Sequence, residues 1–257
     1  MEETKKKKIH RIAVLVFSII LAAYAMFAWC HANHEWSTSI CKSIKVTIED
    51  STDIQFIRES DVKDAMRSLF EEDFTGNNLK AINTTVIERK LKKHLSAVEE
   101  IKCFKSANSD LCINIKQRQP VLRVLTGNES YYVDSNGKKL PMPKTLDPVH
   151  VLVASGNIDE NLATGELYDF AMLIREDKFW NAQIEQVFIN NRKEAILTPR
   201  VGNHIVEFGK LEDDNVTKVK LGHLNKLYTK ALPHQGWETY SKISLKYNNQ
   251  IVCTKRK

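Results

Sequence analysis

Motifs for chemistry are what this sequence lacks. It has no GxGxxG, no GxxxxGK and no GxSxG, which removes the common nucleotide-binding and hydrolase signatures. Its 8 histidines stand singly, and none falls in HExxH or another metal spacing. The 5 cysteines, Cys30, Cys41, Cys103, Cys112 and Cys253, are too few and too scattered for a disulfide scaffold, and none is spaced CxxC for zinc. Internal repeats and low-complexity tracts are absent too. With no pattern that assembles a nucleophile, a base and an oxyanion site, the expectation is a protein without catalysis, cofactor or metal.

The isolated polar residues have simpler readings. His31 and His34 suit an exposed interface better than a metal. Asp134 in YYVDSNG reads as the opening of a turn between strands. Asp213-Asp214 precedes a helix, where negative charge complements the helix dipole. Three N-x-S/T sequons occur, at Asn83, Asn128 and Asn215; the first and last sit at helix starts, where capping explains them.

The formal net charge of +6 does not point to nucleic acid. Lys5, Lys6, Lys7, Lys8 and Arg11, against Glu2 and Glu3, supply half of it within the first eleven residues, and the rest forms no polyanion-binding stripe. Immediately after comes IAVLVFSIILAAYAMFAWC, residues 12–30, with no charged side chain. As a helix it would span roughly 28 Å, close to the hydrocarbon thickness of a bilayer. The basic cluster suits the cytoplasmic interface and Trp29 the far one. Ala23-Tyr24-Ala25 is a permitted signal-peptide cleavage site, but the apolar run continues through Met26, Phe27 and Trp29. A retained anchor, N-terminus inside, is therefore the expectation.

Hydrophobic content of 42% and charged content of 27% are those of a folded protein. A first soluble unit, residues 40–118, reads β-α-α-β-β. Ile44, Val46 and Ile48 alternate as a strand; Ser60 is the expected cap of a helix carrying Val62, Ala65, Met66 and Leu69 on one face. A polar linker, EEDFTGNNLKAIN, follows. A capping box from Thr85 to Glu88 then opens a second helix with Ile87, Leu91 and Leu95 inward. Strands over about 98–105 and 111–118 close the unit.

Residues 119–257 change texture to short strands broken by Asp134-Ser135-Asn136-Gly137 and by Pro141, Pro143 and Pro148. A helix is expected near 165–176. Strands follow at QIEQVFIN, EAILTP and HIVEFG, then a helix near 215–231 with Val216, Val219, Leu227, Tyr228 and Ala231 as its face. The terminus, KISLKYNNQIVCTKRK, reads as a hairpin: Ile243 to Tyr247, a turn at Asn248-Asn249, and an outer arm from Gln250 to Thr254. Cys103 and Cys112 flank a turn and invite a cross-strand disulfide. Register opposes it, because pairing Ile101 with Ile113 or Ile115 keeps Leu111, Ile113 and Ile115 on one face.

The order of parts, a basic tail at 1–11, a span at 12–30, the β-α-α-β-β unit and a mixed β-rich domain with flanking helices, resembles FtsQ/DivIB, the bitopic cell-division family of bacteria. The resemblance runs in order over essentially the whole chain. INTTVIERKLKKHLSAVEEIKCFK resembles the second helix and following strand of a POTRA domain, and LCINIKQRQPVLRV a strand ending before Pro-Val. YYVDSNGKKLPMP, HIVEFGKLEDDNVTKVKLGHLNKLY and ISLKY resemble successive elements of the β domain. HVLVASG and QIVCTK are similar to the Bacteroides-like branch. Glu49-Asp50 replaces a glycine often found after the first strand, and Lys246 stands where many relatives have Arg, which pairs carboxylates differently.

The resemblance implies a non-enzymatic, single-pass inner-membrane protein with periplasmic domains at the division septum. Its partners would be FtsB-like and FtsL-like proteins, with no nucleic acid and no small-molecule substrate. Lys246 and Tyr247 carry over as partner-binding positions. Gln250, Ile251, Val252, Cys253 and Thr254 join them on pattern alone: a short terminal strand with an apolar middle and a basic end suits strand addition by an acidic partner. Tyr247 could equally face the core in parity with Ile243 and Leu245. Two other classes remain at this level: a membrane-anchored periplasmic POTRA-type assembly factor or chaperone, against which the N-terminal span and the single unit count, and an anchored enzyme.

Overall fold

The structure is a computed structural model that describes residues 14–30, 39–49, 56–70, 73–142, 149–247 and 249–257. The basic tail 1–11, His31, His34, Asp50, Pro143, Pro148 and Asn248, which carried expectations above, lie outside the described residues. The chain divides into two units, one of residues 1–51 and 57–116, the other of 52–56 and 117–257.

In the first unit, residues 14–30 form helix α1, whose apolar side chains, Phe17, Ile20 and Phe27 among them, are exposed. Among the described residues no helix is long and apolar enough to cross a membrane. The expected span began at Ile12; Ile12 and Ala13 lie outside the described residues.

The alternating Ile44, Val46 and Ile48 form β1 (Ile44–Glu49). It is followed by α2 (Glu59–Phe70), α3 (Thr84–His94), β2 (Val98–Lys105) and β3 (Leu111–Gln117). The sheet order is β1-β3-β2, with β1 parallel to β3 and Ile44 opposite Leu111. Val62, Leu91, Leu111, Ile113 and Ile115 are fully buried, each such side chain contributing about 1.5–3 kcal/mol of transfer free energy.

The helix starts differ from the expectation. Ser60 lies inside α2, and it is Asp61 that reaches back to accept from the Arg58 N–H at 2.9 Å. Asn83, not Thr85, caps α3 by accepting from the Val86 N–H at 3.2 Å. Glu88 is thereby released from the helix start, and its Oε1 instead accepts the Cys103 N–H at 2.6 Å, fixing α3 to β2. The segment read as a polar linker is partly core, because a 3-10 turn at Leu79–Ala81 buries Leu79 and the next residues bury Ile82.

Cys103 is buried on the inner side of β2 with Ile101, while Cys112 sits between the buried Leu111 and Ile113 and faces the other way. All five cysteines are free. Hydrophobic parity, with period 2, has put the two thiols on opposite faces.

The second unit is a nine-stranded sheet. Its strands are β4 (Pro120–Leu125), β5 (Ser130–Asp134), β6 (Lys139–Pro141), β7 (Leu152–Gly156), β8 (Ile184–Ile189), β9 (Glu194–Pro199), β10 (Ile205–Lys210), β11 (Tyr240–Ser244) and β12 (Val252–Lys255). Their order across the sheet is β12-β11-β10-β9-β8-β7-β4-β5-β6. Parallel neighbours need crossovers. Between β7 and β8 these are α4 (Glu160–Thr164), α5 (Glu166–Glu176) and α6 (Lys178–Gln183); between β10 and β11, α7 (Asp214–Lys226) and α8 (Leu232–Gln235). Leu167, Phe170, Ile174, Trp180, Leu221 and Leu224 of these helices form the core with Val124, Val187, Leu197, Val206 and Ile243. Phe56, although it precedes the first unit's helices, belongs here: its ring meets that of Tyr132 edge-on and its N–H donates to Gln117 Oε1 at 2.7 Å.

Asp134 is the turn former expected of it. Oδ1 accepts the Asn136 and Lys138 N–H groups, and Oδ2 the Arg118 Nε at 2.6 Å in a buried ion pair. Gly137 completes the turn at φ +69°. Asp213 rather than Asn215 caps α7, accepting from the Asn215 and Val216 N–H groups. The buried face of that helix is Thr217, Leu221 and Leu224, continued at the same helical spacing by Tyr228 in the π turn Leu227–Ala231, and Val219 lies off this face and is exposed.

Candidate functional site

The last strand, β12, is terminal in the chain and also terminal in the sheet. It pairs antiparallel with β11, Ser244 opposite Val252, Ile243 opposite Cys253 and Lys242 opposite Thr254. Chain ends fray unless something ties them down, and here two things do. Ile251 and Cys253 pack against the core. Beyond the strand, the Arg256 guanidinium donates to the Asn203 carbonyl at 2.6 Å and the Glu238 carbonyl at 3.3 Å, while its N–H donates to the Thr239 carbonyl at 2.9 Å.

These bonds also orient the main chain. The Arg256 N–H points at β11, and the Thr254 carbonyl accepts from Ser241 Oγ at 3.3 Å. Because main-chain direction alternates along a strand, Val252 and Thr254 spend their N–H and C=O groups on β11. Cys253 and Lys255 turn theirs outward, along the open edge.

The predicted site residues fall into three groups. Ile251 and Cys253 are half-buried inward anchors, and burial raises the Cys253 thiol pKa. Val252 and Thr254 are exposed on the opposite side of the strand. Tyr247 is 55% exposed, so its alternative placement in the core does not hold. With Gln250 it lines a hollow of about 310 Å³ whose other wall is α7 at Val216, Val219 and His223.

Lys246 is placed otherwise. Its ammonium lies 2.8 Å from Glu194 Oε2 at the start of β9, an ion pair that raises the Lys246 pKa and, with Asn190 Nδ2, lowers that of Glu194. Asn249 has φ +58°, the left-handed conformation expected of this turn.

Sequence reasoning missed three contributors: Val219, assigned to the helix's buried face; Lys255, whose outward amide only the strand's alternation reveals; and Arg256, which donates to main-chain carbonyls and lies 3.8 Å from the Glu238 carboxylate. What the arrangement offers is a short row of main-chain donors and acceptors beside a hollow of mixed lining, in which Val216, Val219, Leu245 and Tyr247 alternate with polar side chains and Lys220 is paired with Glu212. Among the described residues, no group of three or more His, Cys, Asp or Glu side chains is placed to hold a metal ion.

Residues 119–254 match the model of the family described as FtsQ/DivIB, C-terminal related, and residues 39–116 match the POTRA-like domain. No curated protein matches the chain.

Proposed function

Because the chain belongs to the FtsQ/DivIB, C-terminal related family, we propose that it is a bitopic cell-division scaffold that recruits and holds FtsB-class and FtsL-class partners at the septum. In this reading residues 12–30 anchor it in the inner membrane, N-terminus in the cytoplasm and both soluble units in the periplasm. The partner adds a strand along β12, with Tyr247, Gln250, Ile251, Val252, Cys253 and Thr254 forming the contact. Lys246 contributes by holding the preceding loop to β9 through Glu194.

The observation that carries this reading is the terminal place of β12 in the nine-stranded sheet, with outward main-chain groups at Cys253 and Lys255. Strand addition draws affinity from such groups and selectivity from neighbouring side chains. Unwanted pairing is restrained by the shortness of the strand and by Lys255, Arg256 and Lys257 at its end.

A fluorescent fusion of the full chain tests the role in division. A band at mid-cell, together with loss of the FtsB-class partner's own band when Lys255 is replaced by proline, is the expected result. Uniform envelope signal from the wild-type fusion would overturn it.

A further inference from the structure

A second open edge lies in the first unit. β1 is the outermost strand of its sheet. The Leu111 N–H donates to the Ser43 carbonyl at 2.9 Å, so Ser43 faces β3. By alternation Ile44, Val46 and Ile48 turn their N–H and C=O groups away from it. Just upstream the outer side is closed, since Cys41 donates to the Asn77 carbonyl and accepts from the Gly76 N–H. Beyond Ser43, among the described residues, no strand pairs with that side.

Burial agrees with the open edge. Ile44, Val46 and Ile48 are only half-buried, while their register partners Leu111, Ile113 and Ile115 are fully buried. Next to Ile44 runs a groove of about 550 Å³. Met66 and Phe74 give it an apolar floor, and Lys42, Lys63 and Arg67 stand around it with Asp73 as the one acid. The Asp73 carboxylate is engaged by the Thr75 N–H at 3.0 Å. Lys63 and Arg67 pair with Glu59 and Asp64, exposed neighbours on α2 that do not line the groove. Such surface pairs hold their cations weakly.

We propose that this groove between β1 and α2 is a second docking site, separate from β12, which receives an extended acidic segment of a partner protein as an added strand. The open main-chain groups of Ile44, Val46 and Ile48 supply the pairing. Apolar side chains of the segment enter between Ile44, Met66 and Phe74, and its acidic side chains meet Lys42, Lys63 and Arg67. The excess of cations over anions in the lining selects an acidic sequence over a basic one.

Amide hydrogen exchange of the full chain in detergent micelles tests this, using as probe a short capped peptide that alternates valine with glutamate. Two controls accompany it: the same peptide with lysine for glutamate, and the glutamate peptide N-methylated at alternate residues, which cannot complete a ladder. Exchange at Ile44, Val46 and Ile48 is expected to slow several-fold with the glutamate peptide alone, and to lose that protection in the K63E/R67E variant. In that variant, unchanged exchange at Leu111 and Ile113 reports an intact unit. No slowing up to millimolar peptide, equal slowing with the lysine peptide, persistence in K63E/R67E, or protection confined to β12 would each overturn the proposal.

Discussion

Lys246 Nζ lies 2.8 Å from Glu194 Oε2, across 52 positions of sequence, and so ties the loop before β12 to β9. The ion pair and the Asn190 hydrogen bond hold the Glu194 pKa below its ordinary value. A carboxylate with a depressed folded pKa contributes stability above its unfolded pKa, about 4.3, and loses it as pH falls through the folded value. Wild type and Glu194→Gln should therefore differ in denaturant midpoint near neutral pH and converge in acid. Chemical melts over that range check this.

The Arg118–Asp134 pair is buried, with side-chain exposures of 14% and 1%. Removing one member leaves an uncompensated charge, so Asp134→Ala should cost about 3–5 kcal/mol of unfolding free energy. Asp134→Asn can still accept the turn's N–H bonds through its amide oxygen and should cost less. Denaturant unfolding of the two variants separates turn from charge.

His204, 2% exposed, meets the Tyr228 hydroxyl through Nε2 at 2.7 Å among the rings of Tyr228 and Trp237. Burial lowers its pKa, partly offset by the Trp237 backbone. The unfolded chain therefore binds a proton that the folded one resists. Stability should be full above about pH 6.5 and fall as pH drops from there toward the folded value. Thermal melts should show this slope in wild type and a shallower one in His204→Gln, in a window above that of Glu194.

The Cys103 thiol pKa is pushed up to about 12, first by burial and then by the Glu88 carboxylate. Thiolate is the reactive form, so Cys103 should resist alkylation in the folded protein. After denaturation without reductant, all five cysteines should react. Mass spectrometry of the alkylated chain reads both outcomes.

The parts legible in the sequence were those governed by short-range rules. Period-two alternation placed Leu111, Ile113 and Ile115 inward and separated Cys103 from Cys112. Asp134 with Gly137 announced its turn, and Asn249 its left-handed conformation. Helix starts were less legible because Asn83, Thr84 and Thr85 are all capable caps, and only the bond to the Val86 N–H distinguishes them. The face of α7 was misread because the reading followed the apolar Val216 and Val219, whereas the inward position of the first turns is held by the polar Thr217, in line with Leu221, Leu224 and Tyr228. At the candidate site, the existence of an outer antiparallel strand could be read from pattern but its bounds could not: the strand runs Val252–Lys255 rather than from Gln250 to Thr254, and its partner Tyr240–Ser244 rather than from Ile243 to Tyr247. The Lys246–Glu194 pair could not, since nothing local relates residues so distant in sequence.

Binding of an FtsB-class partner to Lys255→Pro, with Val252→Pro as its comparison, tests the central claim most directly. The Lys255 N–H faces the open edge, where proline is tolerated, whereas the Val252 N–H faces β11. Strand addition to β12 predicts that Lys255→Pro keeps the wild-type unfolding midpoint yet weakens binding at least about tenfold, roughly one lost hydrogen bond. Val252→Pro should lower the midpoint, because it breaks the hairpin itself. Wild-type affinity in a folded Lys255→Pro protein would contradict the account.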